Sequence, residues 1–327
     1  MSEAQPDVTY KDTSASLVFF GVLEIILGGI CALFIPLVIV SQAMVAHAGT
    51  NSSPTPPSQM TTVLFIYGLL AVVFIAVGYG SIRARRWARA IMLVLSWLWL
   101  VIGVFSTAAM SFILPTIFQS AEHQSKASPG LNALVQIISM ATVFVIYVLI
   151  PLIFVLYYRS KNVQATCNQR SPADWTDRCP LPVLGLSFLL GYSALAMPLV
   201  LIGYKAVFPF FGMLLSGPLA AFLLLFSTAL WAYLSWGFYH LCKNCWKIGL
   251  VVFCLYPISA IVTWTRVGFL ELYRQMGMRE QELVAIQRLG PSYFTIISVM
   301  TGVGALGMLA YMIYVKKYFN KAAAIGS

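Results

Sequence analysis

A chain of 327 residues that is 60% hydrophobic and only 9% charged cannot coat a water-facing surface, because soluble domains carry roughly 25% charged residues. A mean hydropathy of +0.86 makes lipid the solvent. The net charge of +10 does not indicate a nucleic-acid partner, since the Lys and Arg residues fall in short bursts between apolar runs, the pattern that orients a chain in a bilayer.

In chain order, eight stretches are long and apolar enough to cross about 30 Å of hydrocarbon as helices of roughly 20 residues. They cover 17–41, 61–81, 88–117, 131–158, 182–203, 210–239, 248–270 and 293–315. The runs are continuously apolar, without the period of two that a spanning strand requires. The first is too long for a signal-peptide core of 7–15 residues, and Glu3, Asp7 and Asp12 make its flank acidic, although Ala46-His47-Ala48 has the form of a cleavage site. Between the spans, 14 of the 20 Lys and Arg residues fall on one side and six on the other. The positive-inside rule therefore places both termini in the cytoplasm. Asn51-Ser52-Ser53 is then a glycosylation acceptor on the outer side, relevant in a eukaryotic secretory pathway.

The chain also repeats itself. Gly29-x-x-Ala32-Leu33-x-x-Pro36-Leu37-Val38 returns as Gly191-x-x-Ala194-Leu195-x-x-Pro198-Leu199-Val200, an offset of 162. Gly78-Tyr79 and Trp87 return as Gly237-Phe238 and Trp246 at an offset of 159, and Leu156-Tyr157 and Arg159 as Ile313-Tyr314 and Lys316 at 157. The expected architecture is an all-α polytopic membrane protein, its eight transmembrane helices arranged as two parallel four-helix repeats related by an axis along the membrane normal. Its parts are a cytoplasmic tail 1–16, a four-span repeat 17–158, a cytoplasmic loop 159–181, a second repeat 182–315 and a cytoplasmic tail 316–327. Pro36 and Pro198 each remove a helix hydrogen bond and either kink the chain around a central pathway or shape helix packing alone.

The turn Gly78-Tyr79-Gly80 to Arg85-Arg86-Trp87-Ala88-Arg89 resembles one found in many uncharacterised bacterial multi-span membrane proteins. That resemblance covers about a dozen residues and implies a bacterial cytoplasmic membrane but no activity. Arg83, Arg85, Arg86 and Arg89 are expected to face the anionic inner leaflet, with Trp87 and, in the second half, Trp246 as anchors at the headgroup level.

Few residues carry chemistry. Glu24 is the one acid well inside a span, a default functional position, and reads either as a proton- or cation-handling group or as a carboxyl bonded to a neighbouring helix. Its counterpart at 162 is Leu186, so the charge belongs to one half. Arg266 is expected to reach the interface or pair with Glu271. His240, Cys242 and Cys245, together with Cys167 and Cys179, could hold zinc or an iron–sulfur centre if folding brings them together. Otherwise they are a redox pair or inert thiols, and no cofactor is the first expectation. Cys31 and Cys254 read as packing residues. The stretch Arg170–Pro182 reads as an ordered loop, structural at the boundary between the repeats or carrying Asp174 and Asp177 as a carboxylate pair, with Trp175 packed at the interface. Residues 271–289 read as one amphipathic surface helix, its apolar stripe broken by Arg279. No nucleotide loop, metalloprotease motif or nucleophile elbow is present, and His47 and His123 lie in outer loops. The leading expectation is a non-catalytic membrane subunit or scaffold, partnered by the lipid bilayer and by other membrane subunits or copies of itself. The second is an ion or small-solute transporter using the repeat interface and Glu24. The third is a lipid-modifying or redox enzyme.

Overall fold

The computed structural model describes residues 10–47, 57–122, 129–287 and 290–325. Glu3, Asp7, Ala48, the acceptor at Asn51, His123, Lys126 and Arg288 lie outside the described residues. Of the described residues 87% are helical, and among them eight helices are long and apolar enough to span a membrane. Four of these helices form the first half: α1 (Ser14–His47), α2 (Pro57–Ile82), α3 (Arg86–Glu122), and α4 (Pro129–Phe144) continued by α5 (Ile150–Arg159). A short α6 (Lys161–Arg170) and a 3₁₀ turn at Trp175–Arg178 follow. In the second half, α7 (Leu181–Gly203), α8 (Pro218–Tyr239), α9 (Lys243–Val267) and α12 (Gly290–Ile325) are the spans, with α10 (Phe269–Gln275) and α11 (Glu280–Gln287) between the last two.

Two compact units are present. The first takes residues 1–55, 63–98 and 151–181, and the second takes 56–62, 99–150 and 182–327. In the first unit, α1 buries Leu17, Gly21, Glu24 and Gly28, a stripe at the three- and four-residue spacing of one helix face. Small residues let the backbones of α1 and α2 touch. A Cβ on Gly21 would lie 2.7 Å from the Gly78 carbonyl oxygen, and one on Gly78 equally close to that of Gly21. The start of α1 is pinned to α6. The Thr13 N–H donates to the Thr166 hydroxyl at 3.2 Å, and Arg170 pairs with Asp12 at 2.8 Å. Of the stretch expected as a cytoplasmic loop, Lys161–Arg170 is therefore a helix held against the start of α1.

The fourth span is interrupted by a π turn at Val145–Leu149, where Ile150 donates five residues back to Val145. Pro151, four residues after Tyr147, has no N–H for the Tyr147 carbonyl, and helices absorb such a defect as a π-bulge. In the second unit the Tyr147 carbonyl rests on Gly103 of α3, at a spot where any Cβ would overlap it.

The second unit holds α7 to α8 by reciprocal bonds, Ser187 Oγ to the Ser235 carbonyl at 2.7 Å and Ser235 Oγ to the Ser187 carbonyl at 2.8 Å. Its other seam joins α9 and α12, where Met312, Val315 and Phe319 are fully buried and Phe319 meets Phe238 edge-on at 5.2 Å. Residues 210–217, expected as the start of the sixth span, instead complete a hairpin. Strands β1 (Val207–Phe210) and β2 (Met213–Ser216) pair through a tight turn in which Phe211 and Gly212 both have positive φ, the backbone that right-handed strand twist favours. The turn's N–H groups donate to α9, Phe211 to Ser259 Oγ and Gly212 to Thr263 Oγ1, each at 3.0 Å. The sequence pattern concealed the hairpin because its strands are as apolar as the span beside them. The helix expected at 271–289 is likewise two helices, broken at Gly277 with its positive φ.

Both turns that lead into a span after the arginine and cysteine clusters share one backbone form. Arg85 N donates to the Gly80 carbonyl and Ala84 N to that of Ser81; Cys242 N donates to the Gly237 carbonyl and Leu241 N to that of Phe238. Ala84 and Leu241 take the left-handed conformation, φ 49° and 55°, at the position where a Schellman cap normally has glycine. The matched residues stand 157 apart, so the geometry aligns these turns two residues away from the 159 expected from their Gly and Trp positions.

Replacing Gly103 by Ala drives a methyl into the Tyr147 carbonyl and is expected to destabilise the protein by about 1–3 kcal/mol. Thermal unfolding of the detergent-solubilised protein measures this; a Gly103→Ala variant as stable as wild type contradicts the contact.

Candidate functional site

Glu24 is completely buried. Tyr158 of α5 donates its hydroxyl to Glu24 Oε1 at 2.6 Å, and Ser81 of α2 donates to Oε2 at 2.9 Å, the two hydroxyl oxygens standing 3.0 Å apart. Each hydroxyl has a single proton, so both protons can go to the carboxyl while the Tyr–Ser contact remains an oxygen–oxygen approach. Three helices thus converge on one side chain. Phe20 covers the group, stacking on Tyr157 at 3.8 Å and meeting Tyr158 edge-on at 6.2 Å.

The sequence puts Glu24 about two turns from the end of its span. It is ten residues into α1, but its partners occupy the last turns of α2 and α5, which end at Ile82 and Arg159. The first turns of α1 run beside α6, so Glu24 lies level with the last turns of α2 and α5.

The arginine turn is also rearranged. Arg83 is exposed and lies over the Tyr79 ring, 4.5 Å from its centre. Arg86 and Arg89, expected to face lipid headgroups, turn inward. Arg89 Nε donates to the Tyr158 carbonyl at 3.2 Å; Arg86 Nη2 donates to the Asn168 carbonyl at 2.7 Å and Nη1 reaches Asp177 Oδ2 at 3.4 Å. Arg85 is half-buried, and Trp87 packs over Gly80. Nor is Trp246 a headgroup anchor: it is buried and its indole N–H donates to the Met312 carbonyl at 3.0 Å, with Lys316 5.3 Å over its ring. A buried indole requires such a partner, and the adjacent α12 backbone supplies one.

Beside Arg86 and Arg89 lies a cavity of about 190 Å³, also lined by Cys167, Thr176, Asp177 and Cys179. Burial pushes the Cys167 thiol up to about 11 and the Cys179 thiol up to about 12, so both present neutral sulfur near pH 7. Asp174 and Asp177 do not form a reactive pair. They close a capping box on the 3₁₀ turn, Asp177 Oδ2 accepting the Asp174 N–H at 2.9 Å and Asp174 Oδ1 that of Trp175 at 3.1 Å. This turns Thr176 inward and leaves Trp175 40% exposed.

Cys242 and Cys245 belong to the second unit. Cys242 is the N-cap of α9, where the Cys245 N–H draws its thiol below the usual range, and Cys245 is fully buried one turn on, against Gly237. His240 rests on the Trp236 and Tyr239 rings at 4.7 and 5.1 Å. Among the described residues no three His, Cys, Asp or Glu side chains gather as a metal site. Pro36 and Pro198 lie inside the unbroken helices α1 and α7, Pro36 on an exposed face. Arg266 lies against Gly212 of the hairpin turn rather than on Glu271, which pairs with Arg274 at 3.0 Å; Arg279, expected to break an apolar stripe, pairs with Glu282 at 2.6 Å. The sequence singled out Glu24 but missed its partners, because a Ser and a Tyr at span ends carry no signal of their own. It also missed Thr176.

No family model, curated protein or solved structure matches the chain.

Removing the Tyr158 hydroxyl leaves one oxygen of a buried carboxyl without its donor, so Tyr158→Phe is expected to cost about 1–3 kcal/mol of unfolding free energy. The adjacent Tyr157 hydroxyl is buried with no hydrogen-bond partner among the described residues, so Tyr157→Phe is expected to be neutral. Equal losses in the two variants would contradict the assigned bonds.

Proposed function

We propose that the protein is a non-catalytic integral membrane subunit or scaffold of a bacterial cytoplasmic membrane, built from two parallel four-span repeats with both termini in the cytoplasm. The observation that carries this reading is the closure of Glu24. A carboxyl that moves protons or cations needs a route to water or to a passing ion, whereas this one is fully buried with a hydroxyl on each oxygen. It therefore works as a fastener among α1, α2 and α5.

The duplication is supported at three points of local geometry. The two Schellman turns match at an offset of 157. Ile25 and Gly78 are neighbours where α1 packs on α2, and the residues 162 and 157 further on are Ser187 and Ser235, which bond across α7 and α8. The positions corresponding to Glu24, Ser81 and Tyr158 are Leu186, Phe238 and Val315, all buried. One half thus buries a polar cluster where the corresponding residues of the other are apolar, and a pathway built on symmetric ionisable residues has no second member.

Proteoliposomes loaded with a pH-sensitive dye test the reading under an imposed potassium diffusion potential. Wild type and Glu24→Gln are both expected to leak protons no faster than protein-free liposomes. Proton or cation flux in wild type that Glu24→Gln abolishes would establish the transporter reading instead.

A further inference from the structure

The cavity beside Arg86 and Arg89 has the chemistry of an anion site, whether or not the protein transports or catalyses anything. Two guanidinium groups and one carboxylate, Asp177, line it. Asp177 is engaged by the Asp174 N–H and meets Arg86 only at 3.4 Å, so it compensates the two positive charges incompletely. The two thiols add none, being held in the neutral form by burial. Two donors in the cavity wall have no acceptor among the described residues: Thr176 Oγ1, on a residue 3% exposed, and Arg86 Nε. Arg89 makes a single side-chain bond, from Nε, leaving its terminal nitrogens without an acceptor among the described residues. Arg86, Arg89 and Ala90 also belong to the first turns of the 37-residue α3, whose N-terminus carries partial positive charge.

A buried hydroxyl and a buried guanidinium N–H without acceptors are costly, and an oxyanion would satisfy both. A volume of about 190 Å³, against roughly 30 Å³ for a water's share of the liquid, admits a tetrahedral oxyanion and part of its hydration. The arginine turn lies where the spans end, so the anion can arrive from lipid or from water. We propose that this cavity binds a phosphate group through Arg86, Arg89 and Thr176, presented either by an anionic lipid headgroup or as free phosphate. Arg89 also holds the Tyr158 carbonyl, so the ligand would bear on the residue that bonds Glu24.

The test uses the full chain in neutral detergent, following by mass spectrometry the rate at which a small methanethiosulfonate reagent blocks Cys167 and Cys179. Inorganic phosphate and phosphatidylglycerol micelles are titrated separately, with phosphatidylcholine micelles as the control. One of the two probes is expected to slow blocking at least about fivefold, and Thr176→Val to raise the concentration needed roughly tenfold, the effect of losing one hydrogen bond to a charged group. Slowing by phosphate identifies free phosphate as a ligand, and slowing by phosphatidylglycerol alone identifies a lipid headgroup. The proposal is overturned if neither probe slows blocking, if phosphatidylcholine does so equally, or if the variant titrates as wild type. Should Thr176→Val not fold, Arg86→Gln serves in its place, with the same two outcomes.

Discussion

A carboxyl group inside an apolar bundle leaves water behind and must find donors for both oxygens within the protein. Glu24 finds them in Ser81 and Tyr158, and that requirement fixes the register of three helices at once. The helix ends must be level for the bonds to form, which forces α1 to begin several turns before α2 and α5 end. Its early turns then need something to pack on, and α6 provides it through the Thr13–Thr166 and Asp12–Arg170 contacts. The glycine contact between α1 and α2 has the same logic. Without Gly21 and Gly78 the backbones would stand too far apart for Ser81 to reach the carboxyl.

The same backbone turn supports different chemistry in each half. After α2, it delivers Arg86 and Arg89 into the interior of the first unit, where they bond main-chain carbonyls of α5 and α6. After α8, it delivers Cys245 and Trp246, which are buried in the second unit, Trp246 bonded to α12. Both turns accept an alanine or a leucine in a left-handed conformation that costs roughly 1 kcal/mol relative to glycine. The energetic gain comes from the packing that each turn permits: Gly80 lies against Trp87 and Ala88, and Gly237 against Cys245.

The sequence made the spans legible because twenty apolar residues in a row have no other use than lipid or a deep core. It marked Glu24 because a single carboxyl stands out in such a run. It could not reveal the hairpin at Val207–Ser216, since Val-Phe-Pro-Phe-Phe-Gly-Met-Leu-Leu-Ser is as apolar as a helix in lipid and its partners Ser259 and Thr263 lie some fifty residues on. It misplaced Trp246, Arg86 and Arg89 for a related reason. Position near a span end suggests headgroup contact, and only the neighbouring helix decides whether a polar tip turns outward or bonds a carbonyl. Asp174, Trp175 and Asp177 were read by residue type and Thr176 not at all, whereas the capping box determines which of the four is inside.

The central claim, that Glu24 and Tyr158 act as one fastener, is tested most directly by a double-mutant cycle. Unfolding free energies would be measured in bicelles for wild type, Glu24→Leu, Tyr158→Phe and the combined variant. A fastener requires the second substitution to cost little once the first is made, with a coupling energy of at least about 1.5 kcal/mol. Additivity within about 0.5 kcal/mol would contradict the account, leaving Glu24 without the structural role on which it depends.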